Sequence, residues 1–242
     1  MLLRGLAPLA QNPTPLSLEE IPEPKPDAGE ILIRVTRCGV CHTELDEIEG
    51  RTPPPHLPIV LGHQVVGIVE QVAPRSDEFI RPNQRVGVAW IASACSECDF
   101  CKSGQENLCP QFRATGRDVD GGYAEYMKVR ADFVHPIPES LSDSEAAPLL
   151  CAGAIGYRSL RLSNLRDGQT LGLMGFGGSN HLVLKITNYP TQIFSCSAEI
   201  LRSASSPYRW ARPGQGRLMK SRPQSWIRSL TPHQSGVQTW KR

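Results

Sequence analysis

Four cysteines within fifteen residues place the strongest constraint on how this chain can fold. Their order is Cys95-x2-Cys98-x2-Cys101-x7-Cys109. Gaps of two residues let one tight turn direct successive thiolates at a single ion, and a fourth sulfur closes a tetrahedron with metal–sulfur bonds of ~2.3 Å. Buried thiols or disulfides are the alternative, but the polar residues between these cysteines suit a core poorly. The spacing predicts a closed structural zinc site, which has no open position for chemistry.

A second set of candidate metal ligands lies outside this cluster. Cys41 belongs to the stretch Cys-Gly-Val-Cys-His-Thr-Glu at 38–44, and His63 belongs to Leu-Gly-His-Gln at 61–64. A catalytic zinc takes three protein ligands and keeps a fourth position for water or substrate. Two ligands leave such a site incomplete, and for His63 alone an ordinary hydrogen-bonded loop histidine is the simpler interpretation.

The composition is that of an ordinary globular protein, with 40% hydrophobic and 21% charged residues. No apolar run reaches the ~18 residues that a membrane span needs. Residues 1–10 lack the cleavage site of a secretory signal. We therefore expect a cytoplasmic protein without membrane or nucleic-acid partners, whose cysteines bind metal rather than form disulfides.

The first half of the chain has the pattern of short strands separated by glycine and proline turns, which indicates a mainly β domain, barrel or sandwich-like. Four prolines at 51–60 predict an irregular approach to His63. The predicted strands are 30–37, 65–72, 84–90 and 122–129.

Helical patterns begin at Ser142. Ser142 and Glu145 have the spacing of a capping box, and helical patterns follow to Leu150 and again over 151–162. After a turn at Asp167-Gly168, the chain continues as strand, glycine turn and helix over 170–174, 175–178 and 180–186. That order is typical of the start of a dinucleotide-binding unit.

Together these motifs resemble the zinc-dependent, medium-chain alcohol dehydrogenases. The likeness covers residues 1 to about 194. It is carried by Cys-Gly-Val-Cys-His-Thr (38–43), Leu-Gly-His (61–63), the four-cysteine segment (95–109), Gly-Gly-Tyr-Ala-Glu-Tyr (121–126), Ala-Ala-Pro-Leu-Leu-Cys-Ala-Gly (146–153) and the glycine turn (175–178).

The resemblance implies a mixed α/β fold: a GroES-like, mainly β catalytic domain at 1–150, followed by a partial Rossmann NAD-binding domain at 151–194. It implies NAD-linked oxidation of a primary or secondary alcohol to an aldehyde or ketone, with one catalytic and one structural Zn2+, in a homo-oligomer. A relative that acts on sugars, polyols or aldehyde adducts is an open alternative, as is NADP in place of NAD. An inactive zinc-binding remnant is a third.

The resemblance also supplies the missing ligand. Cys151 matches the family cysteine that binds the catalytic zinc with Cys41 and His63, although by itself it would be interpreted as a buried helical thiol. Thr43 matches the hydroxyl residue that passes the alcohol proton outward. Asp46 stands where many relatives have a relay histidine.

Further positions take their roles from the same likeness. Glu44 is either the acceptor that orients the zinc-bound histidine or a solvated acid. Trp90 is either a wall of the substrate pocket or an ordinary packed strand residue. Gln64 replaces a common glutamate, and Cys38 matches a cysteine that is not a ligand. The cofactor contacts implied are His42, Gly175, Gly177 and Gly178, with Asn180 in place of the third glycine.

Beyond about Phe194 the family pattern is lost. Residues 195–242 hold nine basic side chains and one acidic one, Glu199, whereas residues 1–194 hold 17 basic and 23 acidic ones. Although Glu199 lies ~20 positions past the glycine turn, where an acid binds ribose hydroxyls, we interpret it as coincidental. We expect residues 195–242 to be a disordered basic tail from a truncated or frameshifted gene. A nucleic-acid or acidic-partner arm is the weaker alternative.

Overall fold

The structure is a computed structural model, and it describes residues 1–76, 79–166, 170–175, 177–187, 192–196 and 237–239. The chain divides into two compact units, Met1–Cys151 and Ala152–Arg242. In chain order, the first unit contains strands β1 (Leu2–Leu3), β2 (Leu16–Ser17) and β3 (Glu30–Cys38), helix α1 (His42–Ile48), strands β4 (Ile59–Val60), β5 (Val65–Val72), β6 (Arg85–Val88) and β7 (Ile91–Ser93), helix α2 (Asp99–Lys102), strands β8 (Arg113–Ala114), β9 (Tyr126–Arg130) and β10 (Val134–Pro136), and helix α3 (Asp143–Ala146).

The main sheet of the first unit is antiparallel throughout, with strand order β10-β6-β5-β3-β9. Its core is built from β-branched and other apolar side chains that alternate along these strands. The largest buried cluster is Ile31, Ile33, Val65, Val69, Ile80, Val86, Val88, Met127, Val129, Ala131 and Val134. The predicted mainly β domain is confirmed.

The strands at 30–37 and 65–72 were placed correctly by the sequence pattern, since β3 and β5 occupy these positions. The strand predicted at 84–90 is shorter, at 85–88. The strand predicted from residue 122 was wrong at its beginning, because β9 starts only at Tyr126. Residues 121–123 instead donate their amides to carbonyls of Val60, Gly62 and Leu61, at 2.7–2.9 Å.

The proline-rich segment was expected to be irregular to its end, and this was wrong for its last two residues. Ile59–Val60 forms β4, which pairs with β1 in a small sheet of order β2-β1-β4. A two-residue strand needs only a few backbone bonds, and these come from a distant segment that local sequence does not reveal.

The helical prediction after residue 142 is confirmed. The hydroxyl of Ser142 accepts from the amide of Glu145, and the Glu145 carboxylate accepts from the amide of Ser142 at 2.9 Å. The helical run to Leu150 then tightens into a 3-10 turn at Ala147–Leu150, where Pro148 removes one amide donor.

The second unit contains helix α4 (Ala152–Leu162), strand β11 (Thr170–Met174), helix α5 (Gly178–Ile186), and strands β12 (Gln192–Cys196) and β13 (Val237–Thr239). β12 pairs with β11 in parallel, and β13 pairs with its other edge antiparallel. The order β11-α5-β12 is that of a β-α-β unit. α4 approaches α5 at Gly156, where a Cβ would lie 2.8 Å from Val183.

We expected no element beyond residue 194, yet β12 continues to Cys196 and residues 237–239 form β13. Strands of three to five residues show too little periodicity to be predicted from sequence. The turn at 167–168, Glu199 and the rest of the tail lie outside the described residues. Within the described part of the chain, no helix is both long enough and apolar enough to span a bilayer.

Candidate metal centres and active site

The four clustered cysteines converge in a small lobe between β7 and β8. The Sγ atoms of Cys95 and Cys101 are 3.8 Å apart, those of Cys98 and Cys101 are 3.5 Å apart, and those of Cys95 and Cys109 are 3.5 Å apart. All four ligand atoms lie within 4.8 Å of one another. Disulfide bonds of ~2.05 Å are absent among the described cysteines.

These distances fit a tetrahedral ion. Metal–sulfur bonds of ~2.3 Å at tetrahedral angles require sulfurs ~3.8 Å apart. Backbone amides of Cys95, Cys98 and Gln111 also point at the sulfurs, at 3.3–3.4 Å, and such donors stabilise thiolates. The lobe can therefore hold one ion in a closed site.

A second cluster brings together Cys41, His63 and Cys151, whose ligand atoms also lie within 4.8 Å of one another. The two Sγ atoms are 3.9 Å apart. Nδ1 of His63 lies 2.7 Å from Oε1 of Glu44, which leaves Nε2 as the nitrogen for a metal. Nε2 is buried and has no hydrogen-bond partner among the described residues. Three donors fit a metal site that retains an open fourth position.

Cys41 and Glu44 are positioned by the first turn of α1. Cys41 is the N-cap residue, and its amide donates to Oε2 of Glu44 at 2.7 Å. The other carboxylate oxygen of Glu44 faces His63. Glu44 is 2% exposed, so the solvated alternative is wrong. One carboxylate thus joins the helix start to the candidate metal histidine.

His63 depends on glycines that let two backbone segments meet. Gly62 has φ 100°, a left-handed conformation that favours glycine. A Cβ at Gly121 would lie 2.1 Å from the Gly62 carbonyl oxygen, so only glycine fits there. The 121–123 segment therefore packs against the turn that carries His63. The His63 residue is 1% exposed.

Cys151 is delivered by the α3 region. Oδ1 of Asp143 accepts from Arg85 at 3.1 Å and Oδ2 accepts from Thr36 at 2.6 Å, which fixes α3 to the main sheet. Leu150 packs against Gly87, where a Cβ would come within 2.8 Å of the leucine side chain. This packing fixes the residue that directly precedes Cys151.

The electrostatics of the cluster favour a cation. The hydrogen bond with Cys151 lowers the pKa of Cys41 to about 3, despite partial burial. Burial opposes a charge on His63, but Cys41 and Glu44 outweigh it and raise its pKa to about 9. A thiolate and a carboxylate therefore surround the imidazole, and a bound cation would neutralise them.

The candidate relay residues lie along α1. Oγ1 of Thr43 is 3.5 Å from Sγ of Cys41, beside the cluster. His42 is largely exposed, with Nε2 3.7 Å from Oδ1 of Asp46. Asp46 is also paired with Arg51, which bonds Glu49 as well. Thr43 is thus next to the candidate metal, whereas Asp46 lies in a partly exposed ion-pair group.

Trp90 is in contact with the candidate metal histidine. The ring centroids of His63 and Trp90 are 4.9 Å apart, and the planes meet at 77°. The guanidinium carbon of Arg117 lies 5.7 Å from the Trp90 ring centroid. Sequence reasoning missed Arg117, and no sequence signal connects it with Trp90.

Sequence reasoning also missed Glu47. Its side chain is fully buried, and neither carboxylate oxygen has a hydrogen-bond partner among the described residues. Burial, then the nearby Glu44, raises the pKa of Glu47 to about 8. The three-residue spacing of the two glutamates on α1 could have indicated that they share the buried face.

Cys38 and Gln64 fill space beside the cluster without joining it. Burial raises the pKa of the Cys38 thiol to about 12. This thiol lies against Gly62, where a Cβ would come within 2.8 Å of the sulfur. Gln64 is 3% exposed and packs on Gly39.

In the second unit, the glycine turn lies between β11 and α5. Gly175 has φ 73°, and Gly177 is the N-cap of α5. A Cβ on either residue would meet no atom of the described residues within 4 Å, so the described backbone there leaves room for a ligand. Nδ2 of Asn180 donates to the carbonyls of Met174 and Gly175, at 2.7 and 2.9 Å. An open turn before a helix suits a phosphate group.

Comparison with known proteins connects the first unit with a family. A family model described as the alcohol dehydrogenase GroES-like domain matches residues 27–139. An alcohol dehydrogenase of Geobacillus stearothermophilus is 42% identical over 180 residues, covering 74% of this chain and 53% of the relative. A probable alcohol dehydrogenase AdhA of Mycobacterium tuberculosis is 46% identical over 189 residues, covering 76% and 54%. The chain spans about half the length of the curated relatives it matches.

Solved structures of alcohol dehydrogenases are also similar to this chain. An NAD-dependent alcohol dehydrogenase aligns with a TM-score of 0.73 at 25% identity, over 80% of this chain and 56% of its own. The alcohol dehydrogenase of Aeropyrum pernix aligns with a TM-score of 0.68 at 28% identity, over 80% and 57%. The expected GroES-like domain is confirmed. Residues 27–139 match the alcohol dehydrogenase GroES-like domain, and the chain is similar to alcohol dehydrogenases over about three quarters of its length.

Proposed function

We propose that the chain acts in the NAD-linked oxidation of a primary or secondary alcohol to an aldehyde or ketone. The observation that carries the proposal is the cluster of Cys41, His63 and Cys151, three metal donors with a fourth position open. Two sulfurs and one imidazole are a donor set that zinc accepts. The four-cysteine lobe would hold a second, structural zinc.

A zinc ion at the three-donor cluster supplies Lewis acidity, which eases loss of the proton from an alcohol at the open position. The protein holds that geometry through Glu44, whose carboxylate lies 2.7 Å from Nδ1 of His63 and favours a proton on that nitrogen, so that Nε2 is left for metal binding. The hydroxyl of Thr43, 3.5 Å from the Cys41 sulfur, accepts the alcohol proton and donates its own outward. His42 and Asp46 continue this route toward solvent.

NAD, when bound, would supply the acceptor for the hydride. We assign its pyrophosphate to the backbone of Gly175, Gly177 and Gly178 in the second unit. The helix N-terminus at Gly178 and the uncrowded backbone before it favour a negatively charged group. The domain assignments made from the sequence, 1–150 and 151–194, are part of this proposal.

The proposal is tested on the purified chain by three measurements. Metal analysis should find two equivalents of zinc per chain. NADH fluorescence should saturate on titration, and alcohol with NAD should produce NADH absorbance. Two equivalents of zinc without NADH binding would contradict the oxidoreductase proposal and support a zinc-binding protein without this activity.

A further inference from the structure

The indole of Trp90 lies between the candidate metal histidine and a guanidinium. Its ring meets His63 edge to face, at 4.9 Å between centroids. A metal on Nε2 of His63 would lie ~2 Å beyond that nitrogen. Trp90 therefore lies beside the ring that would carry the metal, and a rotation of the indole would change the space next to that ring.

The Phe112 ring also lies near the indole, with centroids 6.4 Å apart, and Arg117 contributes a further contact. Its guanidinium carbon is 5.7 Å from the Trp90 centroid, within the range of a cation–π interaction. The guanidinium is held in a fork by Asp118, with Nε to Oδ1 at 3.1 Å and Nη2 to Oδ2 at 2.8 Å. Oδ2 of Asp118 also accepts from the amide of Ala114, at 2.6 Å. The cation is thus fixed in position.

The loop that carries Arg117 is bonded to the backbone that carries Trp90. The amide of Thr115 donates to the Trp90 carbonyl at 2.9 Å, and the Thr115 hydroxyl donates to the Ala89 carbonyl at 2.9 Å. Thr115 is 1% exposed. The segments that carry the indole and the guanidinium are therefore held together by hydrogen bonds, and the indole also contacts the His63 ring.

We propose that Arg117 is a positioning residue that determines substrate size, because it holds the Trp90 ring against His63. This inference rests on the proposed alcohol dehydrogenase function. Arg117 acts through Trp90, so its loss should change which alcohols fit rather than how fast a well-fitting alcohol reacts. Fixing the ring excludes bulky alcohols and leaves small, unbranched ones favoured.

The test compares Arg117→Gln and Arg117→Lys with a matched control, Arg130→Gln. Arg130 makes the same kind of fork with Asp132, and its guanidinium lies 5.5 Å from the Phe133 ring, a pair that makes no contact with the cluster of Cys41, His63 and Cys151. The readout is the ratio of kcat/KM for cyclohexanol to that for 1-butanol. We expect Arg117→Gln to raise this ratio ~10-fold, the scale at which pocket shape discriminates substrates. Arg117→Lys should raise this ratio less than Arg117→Gln does, and Arg130→Gln should leave the ratio at its wild-type value.

A cobalt experiment separates this inference from the proposed function. With Co2+ as the metal, the visible spectrum of the Cys41, His63 and Cys151 cluster reports ligand entry without turnover. If the wild type binds both alcohols but produces no NADH, the proposed function fails. The Arg117 inference is then tested by the affinities of the cobalt-loaded protein for cyclohexanol and 1-butanol. Equal affinity ratios in wild type and Arg117→Gln overturn it. A wild-type spectrum that responds to neither alcohol overturns both.

Discussion

Oε1 of Glu44 lies 2.7 Å from Nδ1 of His63, and both side chains are buried. The same carboxylate accepts from the amide of Cys41 at 2.7 Å, so one residue holds two candidate ligands. Glutamine in place of Glu44 keeps the size and the acceptor toward Cys41 but removes the charge that favours the metal-binding tautomer.

We therefore expect Glu44→Gln to weaken metal binding at this cluster by ~10–100-fold. Competition with a chromogenic chelator measures the affinity. Glu70→Gln is the control, because Glu70 is an exposed acid paired with Arg34 at 2.6 Å in the same unit. Equal affinities in both variants would show that Glu44 does not support the ligand.

Removing one sulfur should empty the four-cysteine lobe alone. Cys109→Ser should lower the zinc content from two equivalents to one and remove hydrogen-exchange protection from residues 95–109, because metal binding and folding of such a lobe are coupled. Cys38→Ser should retain both equivalents, since this partly buried thiol lies outside both clusters. Loss of metal from Cys38→Ser would contradict the ligand assignment.

Glu47 should make the protein less stable as pH rises. Its pKa is raised from an ordinary 4.5 to about 8, so the folded protein binds this proton more tightly than the unfolded chain does. The resulting contribution to stability is complete below pH 4.5 and is lost as pH rises through 8. Glu47→Gln stays neutral, and we expect it to be more stable than wild type by about 1–3 kcal/mol at pH 9.

Urea unfolding at pH 5, 7 and 9 measures this difference. The two proteins should differ little at pH 5, clearly at pH 7 and by the full amount at pH 9, because the difference grows between the unfolded pKa of 4.5 and the folded pKa of about 8. The exposed residue Glu139 offers the control, Glu139→Gln. If the free energies of unfolding of wild type and Glu47→Gln change in parallel with pH, the raised pKa of Glu47 is contradicted.

Gly121 should not tolerate a side chain. A Cβ there would lie 2.1 Å from the carbonyl oxygen of Gly62 and 2.8 Å from Cα of Gly116, and backbone cannot move aside cheaply. We expect Gly121→Ala to lower the free energy of unfolding by about 3 kcal/mol or more. Gly5→Ala, whose Cβ would meet no atom of the described residues within 4 Å, should change it by less than about 0.5 kcal/mol. Thermal unfolding of the two variants checks both values.

The two relay candidates should differ in importance. Thr43→Val keeps the shape and removes the hydroxyl beside Cys41, and should lower kcat/KM for alcohol oxidation by ~100-fold or more. Asp46 already forms an ion pair with Arg51, so Asp46→Asn should lower kcat/KM by less than ~10-fold. The pH dependence of kcat/KM for both variants measures the effect, and a larger loss for Asp46→Asn would reverse the assigned order.

Local patterns were sufficient for much of the fold. β5 occupies the predicted residues, and the capping box at Ser142 starts a helix, because alternation and capping depend on near neighbours. β9 began later than predicted, because the preceding glycine-rich segment packs against the Gly62 turn. That partner is some sixty residues distant, and nothing local indicates it.

In the candidate site, too, some features could be predicted from the sequence and others depend on tertiary packing. Spacing and resemblance named candidate ligands whose side chains the structure brings together, since ligand types are limited by metal chemistry. The environment of those ligands was not predictable. Glu47 is an ordinary charged residue in the sequence, and only tertiary packing shows that it is buried. Arg117 reaches Trp90 because β7 and β8 pair, with Ile91 opposite Ala114.

The four-sulfur lobe has an interior made largely of its own cysteines, packed with Ala94, Phe112 and Phe133. Sulfurs 3.5–3.8 Å apart are close enough that a small shift would bring a pair within the ~2.05 Å of a covalent bond. Oxidants and cations therefore compete for the same electron pairs, and each sulfur–sulfur bond would remove two donors at once. If a metal ion occupies this lobe, the lifetime of the protein outside a reducing environment should depend on how fast the lobe releases it.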